Sequence, residues 1–211
     1  MEVLKDIAEQ VQLGDDERVS ALTAQAIEQG IHPTAILNDG LIAGMNVIGK
    51  LFKDHEIFLP DVLMAAKAMH AGLDQLKPLL AKEGIPTRGT IVIGTVKGDL
   101  HDLGKNLVGI MLKGAGFEVI DLGVDVTVES VLQKINEIKP DVLGLSALLT
   151  TTMPEMKRII EQLKTRGLRN RLKVVVGGAP ITKAYADQIG ADAYAFDAAK
   201  SVDCANALLG G

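Results

Sequence analysis

The sequence predicts a two-part α/β protein. An N-terminal four-helix bundle over residues 1–84 precedes a five-stranded parallel sheet, flanked by helices, over residues 85–211. Three observations lead there. The pattern is helical from the start to about residue 82. The stretch "AKEGIPTRGT", Ala81 to Thr90, then breaks any helix with Gly84, Pro86 and Gly89. Beyond it, short strand-like runs alternate strictly with helical ones, which implies parallel strands with helices on both faces.

In order, helices are expected at about 2–12, 16–29, 33–52 and 60–82. Asp15 can cap the second. Pro33 and Pro60 suit the first turns of the third and fourth, where a missing N–H costs nothing. Short turns between them suggest a small antiparallel bundle. Strand-like runs follow at "TIVIGTV", "FEVIDLG", "DVLGLSA", "KVVVGG" and "AYAF". Their partner helices are expected near 104–115, 127–138, 153–166, 181–189 and 198–209. Five such units match the flavodoxin-like (Rossmann-like) order 2-1-3-4-5, whose ligand crevice lies at the carboxyl ends of strands 1 and 3. Those ends carry "KGDLHDLG" and "SALLTTT", and strand 4 ends in "GGAP".

Composition narrows the function. A net charge of −5 gives no general footprint for nucleic acid. Aromatic residues make up 3% of the chain, with no Trp, which disfavours a site built on ring stacking. The one cysteine, Cys204, forbids an internal disulfide and fits a reducing, cytoplasmic setting. No apolar run approaches the roughly 20 residues a membrane helix needs. The acidic, amphipathic start "MEVLKDIAEQ" does not read as a signal peptide.

The chemistry gathers at "KGDLHDLGKN". In an extended loop, residues two apart project to one side, so Asp99 can accept a hydrogen bond from one nitrogen of His101 and leave the other outward as a lone pair. From the spacing alone, His101 reads more readily as a helix cap or a satisfied loop residue than as a ligand. A phosphate-binding P-loop fails twice: five residues separate Gly98 from Gly104, and Asn106 stands where Ser or Thr belongs. The G-x-G-x-x-G fingerprint is absent after strand 1. The four histidines are far apart in sequence, so a protein-only zinc site lacks its ligands. A lone histidine can still ligate a metal whose other ligands come from a macrocycle.

"GDLHDLG", "SALLT" and "GGAP" together resemble the D-x-H-x-x-G, S-x-L and G-G signatures of cobalamin-binding domains. "TVKGDLHDLGKNLVG" is similar to the methyl-transferring branch typified by cobalamin-dependent methionine synthase. "GMNVIGKLFKDHEIFLPDVLMAAKAM" resembles the helical cap that shields methylcobalamin there. The resemblance spans roughly residues 30–209. A free-standing pair of this length looks like the corrinoid protein of multi-component methyltransferase systems.

That resemblance implies an anaerobic methyl carrier. Co(I) accepts a methyl group from a substrate-specific methyltransferase, and methyl-Co(III) yields it to a second, folate- or thiol-dependent methyltransferase. A reductive activase restores lost Co(I). It implies His101 as lower axial ligand of cobalt, Asp99 orienting it and Thr152 completing a relay. Gly98, Leu100, Asp102 and Gly104 shape the loop. Ser146, Leu148, Thr150, Gly177 and Gly178 line the slot for the displaced nucleotide tail, and Ala198 touches its end. Phe52 and Leu59 cover the methyl face, and Asn38 reaches the corrin. On pattern alone, Phe52 and Leu59 read as bundle core, Ser146 and Thr150 as a strand end, and Gly177-Gly178 as a turn. Two rival readings share the signature: the small subunit of an adenosylcobalamin mutase and a cobalamin sensor. The helical half argues against the first. The lack of an apparent DNA-binding module argues against the second. A flavodoxin-like interaction module without cofactor is the bland third.

Overall fold

The computed structural model describes residues 2–82 and 88–210. The expected domain boundary, between 84 and 85, lies outside the described residues. The chain divides into two compact units, Met1–Thr87 with Lys113–Gly116, and Arg88–Leu112 with Phe117–Gly211.

The helical unit contains α1 (Glu2–Leu13), α2 (Asp16–Glu28), α3 (Pro33–Lys53) and α4 (Leu59–Lys82). The Asp15 carboxylate accepts the Arg18 N–H at 2.9 Å, so it caps α2 as its position in the sequence suggests. Val3, Leu4, Ile7 and Val11 form the buried stripe of α1. Helix α3 is not uniform: Ile36–Ile42 winds with π-type bonding between α-helical turns. Gly40 and Gly44 of α3 let the helix lie close against α1. A Cβ on Gly44 would stand 2.6 Å from the Ala8 carbonyl oxygen, and one on Gly40 3.1 Å from Ile7 Cγ2.

Helix α3 also corrects the reading of the apolar runs. At 21 residues, with an 18-residue window of mean hydropathy 1.2, it has the length and composition of a membrane span. Asp39, Lys50 and Lys53 interrupt the run in the sequence, but an 18-residue window holding no more than two charged residues is still apolar on average. Its apolar residues have a protein-side use. Ile36, Leu41, Ile42, Met45 and Ile48 are buried, and α3 packs against α1 and α4 as the core helix of a bundle.

The second unit alternates as expected: β1 (Thr90–Thr95), α5 (Leu103–Gly114), β2 (Glu118–Asp121), α6 (Val128–Ile138), β3 (Val142–Ser146), α7 (Met153–Thr165), β4 (Lys173–Gly177), α8 (Lys183–Ile189), β5 (Ala193–Ala195) and α9 (Ala198–Leu209). The sheet is parallel throughout, in the order β2-β1-β3-β4-β5. Central strands β1, β3 and β4 are almost wholly buried, which is why they read as continuous apolar runs. Thr127, Thr182 and Asp197 cap α6, α8 and α9 with their side chains. A core of Val92, Leu143, Val174 and Val176 from the strands and Val131, Ile159, Ile160 and Leu163 from the helices fills one face. Thr95 pairs with Ser146, and Ser146 with Gly177, so three strand ends stand level at the carboxyl edge.

Candidate functional site

The site begins where β1 leaves the sheet. The Val96 N–H donates to the Ser146 carbonyl at 3.0 Å, and Val96 bridges to Val126. The chain then turns at Gly98, whose φ of +80° suits a residue without a Cβ. The Gly98 N–H donates to the Asp125 carboxylate at 2.7 Å, and the Asp125 N–H donates to the Asp99 carbonyl at 3.0 Å. The loop after β2 therefore braces the loop after β1.

The Asp99 side chain is 0% exposed and is surrounded by donors. Its Oδ1 accepts the His101 N–H at 3.1 Å and stands 2.7 Å from His101 Nδ1. Its Oδ2 accepts from the Leu148 N–H at 2.7 Å, the Leu149 N–H at 3.3 Å and the Thr152 hydroxyl at 2.8 Å. The Thr152 oxygen also lies 2.9 Å from the Leu149 carbonyl; its single proton goes to the carboxylate, the charged acceptor. Burial alone would push the Asp99 carboxyl up. Hydrogen bonds from Leu148, from the ring and N–H of His101 and from Thr152 outweigh it, and hold the carboxyl well below its ordinary value.

An ionised carboxylate only accepts, so the proton between the two side chains sits on His101 Nδ1. In the neutral ring, that tautomer leaves the lone pair on Nε2. The ring is 52% exposed. The geometry is that of a carboxylate-oriented metal ligand.

The other residues singled out in the sequence distribute unevenly. Leu100 and Leu148 are exposed on the loops after β1 and β3. Asp102 is exposed and accepts from the Asn106 side chain at 3.1 Å. Gly104, in the first turn of α5, has open space where a Cβ would point. Ser146 is half-buried and Thr150 exposed. Gly177 and Gly178 have a cause within the protein. A Cβ on Gly177 would come 2.7 Å from the Ala195 carbonyl oxygen, and one on Gly178, at φ +129°, would overlap the Ala147 carbonyl. Ala198 is buried at the start of α9; Phe196, two residues earlier, is exposed. In the helical unit, Asn38 is exposed within the π-wound stretch, and Phe52 and Leu59 are half-buried. Phe58, beside Leu59, is 73% exposed.

Sequence reasoning passed over Leu103, Leu149 and Phe196, which leave large apolar surface on the same edge of the sheet. The available signal was an apolar residue in or bordering a strand-to-helix loop, where polar turn residues are the norm.

Comparison with known proteins adds to this geometry. Residues 89–205 match the B12 binding domain model, and residues 3–77 match a second B12 binding domain model. The chain belongs to the B12-binding corrinoid proteins. It is 43% identical to a corrinoid protein of Desulfitobacterium hafniense, over 100% of this chain and 99% of the relative. It is 46% identical to dimethylamine corrinoid protein 1 of Methanosarcina acetivorans, over 99% of this chain and 98% of the relative. Among solved structures, it resembles a chain of the methanol:cobalamin methyltransferase complex of Methanosarcina barkeri, with a TM-score of 0.88 and 34% identity, covering 100% of this chain and 80% of that one. A cobalamin-binding protein of D. hafniense gives a TM-score of 0.81 and 32% identity, covering 97% and 98%. The mutase and sensor readings draw no support from these relatives.

The residues present fit a corrinoid. His101 offers one neutral imidazole nitrogen, and a corrin ring brings its own four. Gly104 leaves room beside the loop, and Leu100, Leu103, Leu148, Leu149 and Phe196 give the sheet edge an apolar surface for a large, mostly apolar ring. Among the described residues, no cluster of three or more His, Cys, Asp or Glu is placed to hold a bare metal ion.

Proposed function

We propose that this chain carries a methyl group on a bound corrinoid between two methyltransferases, with His101 Nε2 as the lower ligand of cobalt. The observation that carries the reading is the His101 ring, held by a buried carboxylate with one nitrogen presented outward at the switch point of the sheet. When bound, the cobalt supplies the nucleophile for methyl capture and the site from which the methyl leaves. The protein's part is ligand control. Asp99 keeps the proton on Nδ1, which makes Nε2 the more basic and favours ligation. Asp99, itself held by the Thr152 hydroxyl, would keep the imidazole in place with or without the cofactor. We assign the cofactor-contacting role to Gly98, Leu100, Asp102, Gly104, Ser146, Leu148 and Thr150, and shielding of the methyl group to Phe52 and Leu59.

The chain is read as a carrier in the cytoplasm. Its partners are a substrate-specific methyltransferase, an acceptor methyltransferase and a reductive activase. The 46% identity to a dimethylamine corrinoid protein makes a methylamine-specific donor enzyme the first partner to test.

Reconstitution with hydroxocobalamin tests the core of the proposal. The protein should become coloured. In the Co(II) state, electron paramagnetic resonance should show coupling to one nitrogen that responds to isotopic labelling of histidine. Coupling that instead follows a labelled benzimidazole overturns the assignment of His101.

A further inference from the structure

A buried cation stands close to the histidine loop. Lys105, in the first turn of α5, has a side chain that is 3% exposed. Its ammonium pairs with Asp121 Oδ2 at the end of β2 and donates to Asn106 Oδ1 at 2.8 Å. A lysine at the start of a helix is badly placed for the helix dipole, and taking an ammonium out of water is costly. Stability is therefore a poor account of the pair.

The contacts around it close into a ring. Asp121 Oδ1 accepts the Gly123 N–H at 2.8 Å, and the Gly123 carbonyl accepts the Thr95 N–H at 3.0 Å. The buried Thr95 hydroxyl donates to the His101 carbonyl at 2.9 Å. On the other side, Asn106, which accepts from Lys105, donates to the Asp102 carboxylate at 3.1 Å, next to His101 in the chain. Lys105 thus joins the two arms that hold the His101 backbone. Asp99 orients the ring; this second circuit fixes the main chain from which the ring projects.

We infer that Lys105 and Asp121 act as positioning residues that set the reach of His101 toward the cobalt. The inference rests on the corrinoid reading above. A ligand displaced by even a fraction of an ångström bonds less well, so loosening the clamp should favour the unligated state. It should do so without abolishing cofactor binding, because neither side chain lies at the ligating nitrogen.

The test uses full-length protein loaded with hydroxocobalamin and reduced to Co(II). Lys105→Met removes the charge but keeps the length, and leaves Asp121, 40% exposed, solvated. The expected result is a melting temperature near that of wild type and a ratio of histidine-on to histidine-off forms lowered by about tenfold, the lower end of the effect typical of groups that orient a metal ligand. That ratio is read from the nitrogen coupling and the absorbance. Hydrogen exchange of residues 97–106 in cofactor-free protein should quicken. Asp121→Asn still accepts from Gly123 and should give the same shift, which keeps the test alive if Lys105→Met folds poorly. The double variant should be no worse than either single one, since each breaks the same link. Wild-type ligation in both single variants, or losses that add in the double, overturns the inference. Failure of the wild-type protein to ligate through histidine would sink the corrinoid reading instead, and is seen before any variant is made.

Discussion

Asp99 is the residue on which the site turns, and its substitution makes a specific demand. All five contacts to its carboxylate come from donors. In Asp99→Asn, whichever oxygen becomes NH2 faces at least one N–H. Leaving buried donors opposed should cost about 2–3 kcal/mol in urea unfolding at pH 7, even without cofactor. The sign of the pH dependence follows from the depressed carboxyl. Its contribution to stability is complete above the ordinary carboxyl value of 3.8 and is lost as pH falls below it toward the folded value. The gap between wild type and Asp99→Asn should therefore be constant from pH 7 to 5 and narrow below about pH 4. A gap unchanged at pH 2.5 would mean that Asp99 is not the stabilising carboxylate described. At this scale the sequence was partly legible. Asp99 and His101 are two apart, so their meeting follows from an extended loop. The Thr152 contact spans 53 positions and came from resemblance alone. Lys105 was not legible, since a lysine in a first helical turn normally points to solvent. Its burial depends on Asp121, which a different strand supplies.

At the scale of elements, two glycines near the site separate backbone need from cofactor space. Gly178→Ala should fail to fold well or lose at least about 3 kcal/mol, since its Cβ would overlap the Ala147 carbonyl at a φ that side chains rarely adopt. Gly104→Ala should do the reverse. With nothing nearby and a place in α5, the methyl should stabilise cofactor-free protein by up to about 0.5–1 kcal/mol. If the open space belongs to the corrinoid, affinity for hydroxocobalamin should fall in the same variant. Unchanged affinity would move the ligand away from Gly104. Most strands and helices were readable to within a residue or two, because β-branched runs and capping residues mark their ends locally. The π-wound stretch in α3 was not, because an i→i+5 bond has no distinctive local residue pattern and is set by how the helix packs.

For the whole molecule, the α/β unit has its own core, which includes Val92, Leu143, Ile160 and Val176. Residues 85–211 expressed alone should fold cooperatively and still bind hydroxocobalamin. Loss of all binding would assign part of the affinity to the helical unit. Loaded with methylcobalamin, that fragment and full-length Phe52→Ala, Leu59→Ala should both photolyse faster than wild type. Equal rates would remove the shielding role.

The close approach at Gly178 bears on ancestry as well as folding. The chain around Ala147 passes so near that any descendant keeping this sheet must keep a glycine there, whatever it binds. His101 and Lys105 carry no such obligation. A lineage that abandoned the corrinoid would be free to change both, and would retain the glycine pair as a fossil of the backbone rather than of the chemistry.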